Sequence, residues 1–319
     1  MKEIIKVEHL SKSFGTVKAV DDISFTVNEG ELFGFLGVNG AGKSTTINML
    51  CTLYAPDRGS VNICGLTLGK DNNEIRSKLG VVFQHNTLDQ RLSVKQNLMS
   101  RAYLYEKDKA TVKKNLDMVC ETLDIGSLLN RQYRQLSGGQ KRRCEIARAI
   151  MNQPKILFLD EPTTGLDPQT RRMVYRSVER LRKEHNMTIF LTTHYMEEAA
   201  RAQNIAVMDA GKIVAFGTPS KLKETYTSDR IKVYSTQYDK IIEIADRYKV
   251  SYKEKSNHIS ISIPDTKSCL PLLNELSPYM TSFEVLQGTM DDAFLNITGK
   301  QLGKAFKEDN QYDGTDCNS

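Results

Sequence analysis

The stretch that decides the fold is residues 33–45, which read Phe33-Gly34-Phe35-Leu36-Gly37-Val38-Asn39-Gly40-Ala41-Gly42-Lys43-Ser44-Thr45. A short apolar strand passes through a glycine-rich turn into a helix with one apolar face. Between Gly37 and Ser44 the turn meets the pattern G-x-x-x-x-G-K-[ST]. We call residues 37–45 the phosphate loop, because this pattern is typical of a site that binds the phosphates of a nucleotide.

Each residue type in the phosphate loop has a physical task. Glycines allow positive φ, so backbone N–H groups converge on an anion at the positive end of the following helix. Lys43 supplies a mobile charge to the β- and γ-phosphates, and the Ser44 hydroxyl is the expected Mg²⁺ ligand. A plain glycine-rich turn is the alternative, but the flanking strand and helix both favour the phosphate motif. The predicted nucleotide-binding residues are Gly37, Asn39, Gly40, Ala41, Gly42, Lys43, Ser44 and Thr45.

Composition excludes several classes of protein. The chain has 319 residues, a net charge of +5 and six cysteines without any C-x-x-C pair. This charge is too small to indicate a nucleic-acid partner, and the cysteine spacing favours reduced thiols over disulfides or zinc. The N-terminus lacks the apolar segment of a secretory signal, and no apolar run approaches the roughly 18 residues that cross a bilayer. We therefore expect a globular cytosolic protein.

The segments around the phosphate loop predict strands and one helical region. Residues 4–27 alternate as in a small β layer, and strands follow at residues 60–64 and 79–83, the latter ending at Gln84. Beyond Gln84 the pattern becomes helical, with one amphipathic stripe that we interpret as core packing. The stripe consists of Val112, Leu116, Val119 and Leu123.

A second glycine turn, Leu136-Ser137-Gly138-Gly139-Gln140, precedes a helix predicted over residues 141–152. We call residues 136–140 the signature turn. A glycine turn at a helix start is a second potential anion site, although this signal is weak by itself. The adjacent basic residues are expected to form a solvated face, with attraction of phosphate as the alternative. They are Lys141, Arg142 and Arg143.

Two further strands end in polar residues. The strand over residues 155–159 ends at Asp160 and Glu161, and the strand over residues 188–191 is followed by His194. Ligands of open α/β sheets bind at such strand ends. This position favours Asp160 as a Mg²⁺ ligand, Glu161 as the base that polarises water and His194 as a γ-phosphate contact. Exposed acids and a structural histidine are the alternatives. The helix between the two strands is predicted to bury Met173, Val174, Val178 and Leu181.

With these motifs in order, residues 1 to about 225 resemble the nucleotide-binding subunit of an ATP-binding cassette (ABC) transporter. The resemblance implies that Gln84 couples the Mg²⁺ site to a membrane partner, that Glu161 is the catalytic base and that Asp167 communicates across a dimer. It also implies that Phe14 stacks on adenine, with simple packing as the alternative. Two subunits pack head to tail in this family. ATP bound by Lys43 of one subunit is then covered by the signature turn of the other, through Ser137, Gly138, Gly139 and Gln140.

Two motifs are similar to those of the ABC-2 type branch of drug-resistance and polysaccharide exporters. They are residues 163–168, TTGLDP, and residues 192–199, TTHYMEEA. Many members of that branch depart from LSGGQ, whereas this chain keeps it. The ending at residues 289–299 is also similar, although Asp292 and Ala293 stand where the branch usually carries Glu and Val.

The predicted fold class is α/β. A P-loop ABC ATPase domain over residues 1–225 has a mixed sheet and a helical subdomain at about 86–150. A small α+β domain over residues 226–302 follows the split-βαβ order β-α-β-β-α-β, and residues 303–319 are expected to be disordered.

The expected cofactors are ATP and Mg²⁺. The expected partners are a second copy or a paralogous ABC subunit, and a membrane permease that docks near Gln84, at the cytoplasmic face of the membrane. No nucleic acid is expected. The alternatives are an importer subunit and a soluble ATPase of DNA repair or translation. The segment between the phosphate loop and the signature turn is too short for the coiled coil of repair ATPases, and only one cassette is present.

Overall fold

A computed structural model describes residues 2–267 and 269–299. The chain divides into two compact units, Met1–Gly217 and Thr218–Ser319. The sequence placed this boundary after residue 225, but the helix Pro219–Tyr226 packs against the helix Met290–Thr298 of the second unit. The predicted disordered tail at residues 303–319 lies outside the described residues.

The first unit contains two sheets. Its strands are β1 (Glu3–Phe14), β2 (Val17–Asn28), β3 (Leu32–Gly37), β4 (Arg58–Ile63), β5 (Leu66–Thr67), β6 (Leu79–Val82), β7 (Ile156–Asp160), β8 (Thr188–Thr193), β9 (Asn204–Asp209) and β10 (Lys212–Gly217). Its helices are α1 (Lys43–Leu50), α2 (Asn72–Lys78), α3 (Val94–Ala102), α4 (Lys109–Leu123), α5 (Gly138–Ile150), α6 (Pro168–His185) and α7 (Met196–Ala199), with 3₁₀ turns at Gly126–Leu128 and Tyr133–Gln135.

The six-stranded sheet has the order β10-β9-β3-β8-β7-β6. Its strands run parallel except β10, which pairs antiparallel with β9 at one edge. Thr192 of β8 is in register with Phe35 of β3 and with Asp160 of β7. The carboxyl ends of three strands therefore meet at one edge, which is where open α/β sheets bind ligands.

A cluster of phenylalanine rings joins this sheet to the antiparallel sheet β2-β1-β4-β5. Phe25 of β2 stacks on Phe33 of β3 with ring centroids 5.5 Å apart. Phe190 of β8 lies 5.2 Å from Phe33 and 5.1 Å from Phe158 of β7. Such ring pairs contribute about 0.5–1.5 kcal/mol each beyond their buried area. The cluster therefore stabilises the central strands β3, β7 and β8, whose carboxyl ends form the edge described above.

The helices confirm one predicted apolar stripe and correct another. All four residues of the predicted stripe on α4 are buried. On α6, however, Met173 is 41% exposed, and Tyr175 is buried with Val174, Val178 and Leu181 instead. Successive helix residues are rotated by about 100°, so Met173 lies on the far side of Val174 from Tyr175. The predicted participation of Met173 in the core is wrong.

The second unit has the predicted split-βαβ order. It consists of α8 (Pro219–Tyr226), β11 (Asp229–Tyr234), α9 (Tyr238–Arg247), β12 (Tyr252–Lys255), β13 (His258–Ile263), α10 (Leu270–Leu276), a 3₁₀ turn at Ser277–Tyr279, β14 (Ser282–Leu286) and α11 (Met290–Thr298). The antiparallel sheet has the order β12-β13-β11-β14. Alternate residues of β11 and β13 point to the core, where they meet the apolar faces of α9 and α10.

Candidate active site

The phosphate loop connects β3 to α1 at the edge where the parallel strands end. Gly42 precedes the helix with φ 105°, in the left-handed region that favours glycine. A Cβ atom at Gly42 would lie 2.2 Å from the Ala19 carbonyl oxygen, and one at Gly37 would lie 2.4 Å from that of Met208. The loop is therefore pressed against neighbouring strands, and only glycine fits at both positions.

Lys43 is folded back over its own loop. Its Nζ atom donates hydrogen bonds to the carbonyl oxygens of Gly37 at 2.8 Å and Val38 at 3.0 Å. Burial lowers the pKa of Lys43, while the nearby carboxylates of Glu161 and Asp160 oppose that shift. The adjacent Ser44 side chain is exposed. The loop thus combines a partly desolvated cation with an accessible hydroxyl group.

Asp160 ends β7 and is tied to the neighbouring strand. The Thr192 hydroxyl of β8 donates to Asp160 Oδ1 at 2.6 Å. Burial raises the pKa of Asp160, and the Thr192 hydrogen bond opposes this rise. The strand end therefore keeps a carboxyl group in a largely buried position that disfavours its charged form.

Glu161 turns the chain away from the sheet with φ 44°, a left-handed conformation that strains a residue with a side chain. Its N–H group donates to the Thr192 hydroxyl at 3.0 Å, which holds the strained turn. Glu161 Oε2 accepts a hydrogen bond from the Thr164 hydroxyl at 3.1 Å and lies 3.4 Å from His194 Nδ1. The contact with His194 lowers the pKa of Glu161, so its carboxylate is ionised at neutral pH.

The structure brings together four of the predicted residues: Lys43, Asp160, Glu161 and His194. His194 directly follows β8, and its ring centroid lies 4.2 Å from that of Tyr195. Among the residues that the structure describes, no hydrogen bond or ion pair connects this group with Gln84, Phe14, the signature turn or Asp167. Gln84 is exposed in the loop after β6.

Phe14 lies at the end of β1 and is 48% exposed. Its ring meets Tyr54 edge to face, with centroids 5.7 Å apart, and Lys12 Nζ lies 5.7 Å from its centroid. The ring is therefore accessible on part of its surface, which leaves adenine stacking as a prediction. Asp167 caps α6 and accepts a hydrogen bond from the Thr170 N–H group at 3.0 Å.

The signature turn is the beginning of a helix. Ser137 caps α5, because its hydroxyl accepts from the Gln140 N–H group at 3.4 Å while Gln140 Oε1 accepts from the Ser137 N–H group at 3.0 Å. The helix therefore begins at Gly138, and the predicted start at Lys141 is wrong. The reciprocal Ser-x-x-Gln capping box was visible in the sequence and indicates the earlier start.

Gly138 and Gly139 consequently lie in the first helical turn. A Cβ atom at Gly139 would lie 2.1 Å from a side-chain carbon of Thr170 on α6. The first N–H groups of a helix have no partner within the helix, and its N-terminus is positive. The turn thus presents backbone donors that suit an anion.

Arg142 corrects the expectation of a solvated basic face. Its side chain is buried, and its guanidinium group donates to the carbonyl oxygens of Pro162 at 2.6 Å, Phe83 at 2.6 Å and Asp160 at 2.9 Å. These carbonyls flank Gln84 and Glu161. Helical periodicity would have indicated this burial, because Arg142 shares a face with Gly139 and Ile146.

Lys141 and Arg143 are also only partly exposed. Lys141 Nζ lies 5.7 Å from the centroid of the Tyr133 ring. Arg143 donates to the carbonyl oxygens of Leu123 at 3.1 Å and Asp124 at 2.8 Å. The Arg143 contacts join the start of α5 to the end of α4. The three basic residues therefore make contacts within the first unit and do not form a common solvated surface.

Glu145 is a second buried charge that the sequence did not reveal. It accepts hydrogen bonds from the N–H groups of Thr87 at 2.6 Å and Leu88 at 3.0 Å, and from the Tyr133 hydroxyl at 3.1 Å. Arg148 Nε lies 3.4 Å from its carboxylate. Arg142 and Glu145 together attach α5 to the loop that carries Gln84.

The fold and the site define a nucleotide-binding ATPase of the P-loop class. Residues 20–164 match the ABC transporter family. The Nod factor export ATP-binding protein I of Ralstonia nicotianae is 40% identical over 307 residues, which cover 94% of this chain and 95% of that protein. The daunorubicin resistance ATP-binding protein DrrA3 of Streptomyces coeruleorubidus is 33% identical over 303 residues, with 92% and 96% covered.

Among solved structures, the chain is similar to the ATP-binding cassette MJ0796, seen as a dimer in a post-hydrolysis state bound to ADP and Pi. The identity is 27% and the TM-score 0.60, over 67% of this chain and 98% of that chain. The chain belongs to the ABC transporter family, in its drug-resistance and export branch, and it binds and hydrolyses ATP. No helix within the described residues has the length and apolar character needed to cross a membrane.

Proposed function

We propose that this chain dimerises around two Mg-ATP molecules and powers the export of a substrate through a separate membrane-spanning subunit. The observation that carries the proposal is the similarity over 94% of the chain to a protein named for Nod factor export. A protein named for daunorubicin resistance is similar over nearly the same length. Both similarities extend into the second unit, beyond the ATP-binding cassette.

In hydrolysis, the phosphate loop and Lys43 hold the β- and γ-phosphates of ATP. Glu161 polarises the attacking water, and His194 contacts the γ-phosphate and lowers the pKa of Glu161. The support for these roles is geometric. The strained turn at Glu161 is held by Thr192, and His194 Nδ1 lies 3.4 Å from the Glu161 carboxylate. A base that stays ionised and fixed in direction suits the activation of water.

Three of the predicted site residues offer oxygen atoms that suit magnesium. Ser44 offers an exposed hydroxyl group at the start of α1, Asp160 offers a carboxylate and Gln84 an amide oxygen. Mg²⁺ prefers such hard oxygen ligands, together with water and phosphate. When bound, the ion neutralises charge on the phosphates. Burial disfavours the charged form of Asp160, and a bound cation would stabilise that charged form.

The dimer places the signature turn of one subunit over ATP bound to the other. Ser137, Gly138, Gly139 and Gln140 supply the turn, with a second copy or a paralogous ABC subunit as the partner. Two observations support this arrangement. The similar cassette MJ0796 is dimeric, and the helix N-terminus at Ser137 makes no described contact with the phosphate-loop site of its own chain. Asp167 then communicates between the two sites.

The membrane partner docks near the loop that carries Gln84, at the cytoplasmic face of the membrane. Arg142 and Glu145 connect this loop to α5 and to the backbone around Glu161. Movement of the loop is thereby communicated to the site of hydrolysis. No nucleic acid takes part.

The dimer is tested by size measurement of the purified full chain with Glu161→Gln, in the presence of Mg-ATP. We expect the apparent mass to double on addition of ATP, because hydrolysis no longer separates the subunits. The matched control Lys43→Ala/Glu161→Gln stays monomeric, since it lacks the phosphate-binding charge. A Glu161→Gln protein that stays monomeric at every concentration contradicts the proposed dimer.

The export role is tested by co-purification of the tagged chain from detergent-solubilised membranes of its own cells. We expect a multi-spanning membrane protein in stoichiometric amount. Recovery of RNA or DNA in its place contradicts the export role and supports a soluble ATPase.

A further inference from the structure

Glu198 on α7 is a buried carboxylate with two threonine hydroxyl partners, and the buried Tyr175 hydroxyl also interacts with it. Only 3% of the residue is exposed. Its Oε1 atom accepts a hydrogen bond from the Thr163 hydroxyl and its Oε2 atom accepts one from the Thr193 hydroxyl, each at 2.5 Å. Thr163 and Thr193 are themselves buried, each 1% exposed. One carboxylate therefore connects two hydroxyl groups that solvent does not reach.

The two threonines belong to different strand ends of the site. Thr163 lies two residues after Glu161, in the turn that follows β7. Thr193 is the last residue of β8 and directly precedes His194. The Thr193 hydroxyl also accepts a hydrogen bond from the Tyr195 N–H group at 3.0 Å, so this hydroxyl closes the turn that carries His194.

No lysine, arginine or histidine nitrogen of the described residues forms an ion pair with Glu198. A buried carboxylate that forms no ion pair depends mainly on its hydrogen-bond donors for stabilisation. Hydrogen bonds to a charged acceptor are roughly twice as strong as neutral ones. Glu198 consequently holds both threonine hydroxyls, and both turns, in one arrangement.

We propose that Glu198 is a positioning residue for ATP hydrolysis. It fixes the Glu161 turn relative to the His194 turn, so that the 3.4 Å contact between their side chains is kept during turnover. This inference rests on the catalytic roles proposed for Glu161 and His194. Displacement of a catalytic group by 1 Å can reduce a rate on the order of 10²-fold, which is the scale of effect available to such a residue.

The neighbouring Glu197 provides a matched control. Both glutamates lie in the first turn of α7, but Glu197 is exposed and Glu198 is buried. The experiment measures steady-state ATP turnover of the full chain carrying Glu198→Gln or Glu197→Gln. Glutamine keeps the shape of glutamate but replaces one acceptor oxygen with an NH₂ donor, so one threonine hydroxyl loses its acceptor.

We expect Glu198→Gln to lower kcat at least about 10-fold with little change in KM for ATP, because the phosphate loop is untouched. Glu197→Gln should match the unaltered chain. Equal kcat values for the two variants contradict the proposal. A raised KM with unchanged kcat also contradicts it, because that result places the role of Glu198 in ATP binding.

Threonine variants separate positioning from packing, and they decide the question if Glu198→Gln does not fold. Valine keeps the shape of threonine without its hydroxyl, whereas serine keeps the hydroxyl without the methyl group. We expect Thr163→Val and Thr193→Val to lower kcat more than Thr163→Ser and Thr193→Ser do. The reverse order indicates a packing role and contradicts the proposal.

A double variant distinguishes failure of this inference from failure of the proposed function. If Glu198 acts by positioning Glu161 and His194, then Glu198→Gln slows the Glu161→Gln variant by a smaller factor than it slows the unaltered chain, because groups that act as a unit are not additive. An equal factor in both backgrounds contradicts the role of Glu198. Full turnover in Glu161→Gln alone contradicts the catalytic role of Glu161 instead.

Discussion

The two units of the chain use charge differently. Among the residues that the structure describes in the first unit, five charged side chains are buried, namely Glu31, Lys43, Arg142, Glu145 and Glu198. Of the residues that the structure describes in the second unit, none that is charged is buried. Its core consists of alternating isoleucines packed on two helices, and its ion pairs, such as Lys232 with Glu284, lie at the surface.

This difference shows where the protein buries charged groups despite their cost in folding free energy. Burial of a charge is unfavourable unless hydrogen bonds compensate it, and an apolar residue of the same size is often more stabilising. In the first unit most of these charges hold the loops around Lys43, Glu161 and Gln84. Glu31 is the exception, because it accepts hydrogen bonds from Asn28 and Asn204. The second unit has an apolar core without buried charges among its described residues. No catalytic group was predicted for it.

The largest effect that we expect is on the rate of hydrolysis. Glu161→Gln should lower ATP turnover on the order of 10²-fold or more while ATP binding is retained, because the amide cannot accept a proton from water. Turnover by phosphate release and binding by equilibrium titration with ATP measure the two quantities. If turnover is unchanged, Glu161 is not the base.

Removal of a buried charge should cost more stability than removal of an exposed one. Arg142→Ala leaves three carbonyl oxygens without donors, and we expect a loss of about 3 kcal/mol in the free energy of unfolding. The matched change in the second unit, Arg230→Ala, breaks the partly exposed pair with Asp292 and should cost about 1 kcal/mol. Urea denaturation measures both. Equal losses would remove the contrast between the two units.

Lys43→Ala should abolish the stabilisation that ATP confers. A ligand at 100 times its Kd stabilises the folded state by about 2.7 kcal/mol, and this increment disappears when the phosphate-binding charge is removed. Thermal melts with and without Mg-ATP give the increment directly. An increment of the original size in Lys43→Ala would show that the phosphate loop does not bind ATP.

The smallest effect concerns two aspartates whose pKa values move in opposite directions. Burial raises the pKa of Asp160, so the folded state favours the protonated carboxyl group. The contribution of Asp160 to the free energy of unfolding is therefore fully present below the ordinary pKa of 3.8, and it is lost as pH rises through the folded-state pKa. Hydrogen bonds from Thr289 and Arg230 outweigh the effect of burial on Asp292 and lower its pKa. Asp292 therefore stabilises the fold above pH 3.8 and loses this contribution as pH falls below that value.

Accordingly, Asp160→Asn should raise the melting temperature at pH 7, whereas Asp292→Asn should lower it. Both differences should shrink as the pH falls toward the ordinary aspartate range, because the native carboxyl groups then become neutral as well. Thermal melts at pH 7 and pH 4 of the three proteins check the signs. A stabilising Asp292→Asn would contradict the comparison.

Several features could be predicted from the sequence because they depend on local stereochemistry. The glycines of the phosphate loop permit positive φ, and the apolar alternation of β13 places its isoleucines in the core. The capping box at Ser137 and Gln140 is equally local, and it indicates a helix start at Gly138 rather than at Lys141. The paired acids at Asp160 and Glu161 were recognised because they follow an apolar strand.

Other features could not be predicted, because their partners are distant in the sequence. Glu145 accepts from Thr87 and Glu198 accepts from Thr163, and these contacts exist only after the sheet has assembled. Glu197 and Glu198 are adjacent and chemically identical, so nothing local distinguishes the buried one from the exposed one. Burial of a charge depends on what surrounds it in three dimensions.

The amino-acid sequence by itself determined the phosphate loop and the order of strands and helices in the second unit, and it supplied the candidate residues for the chemistry of hydrolysis. Backbone torsions and hydrophobic periods depend on residues that are close together in the sequence, so they can be predicted from the sequence alone. Only the tertiary structure decided that Arg142 donates to the carbonyl oxygens of Phe83, Asp160 and Pro162. The same holds for Glu198, which joins the turns after two strands. The register of the parallel strands brings these groups together, and register is a property of the assembled sheet.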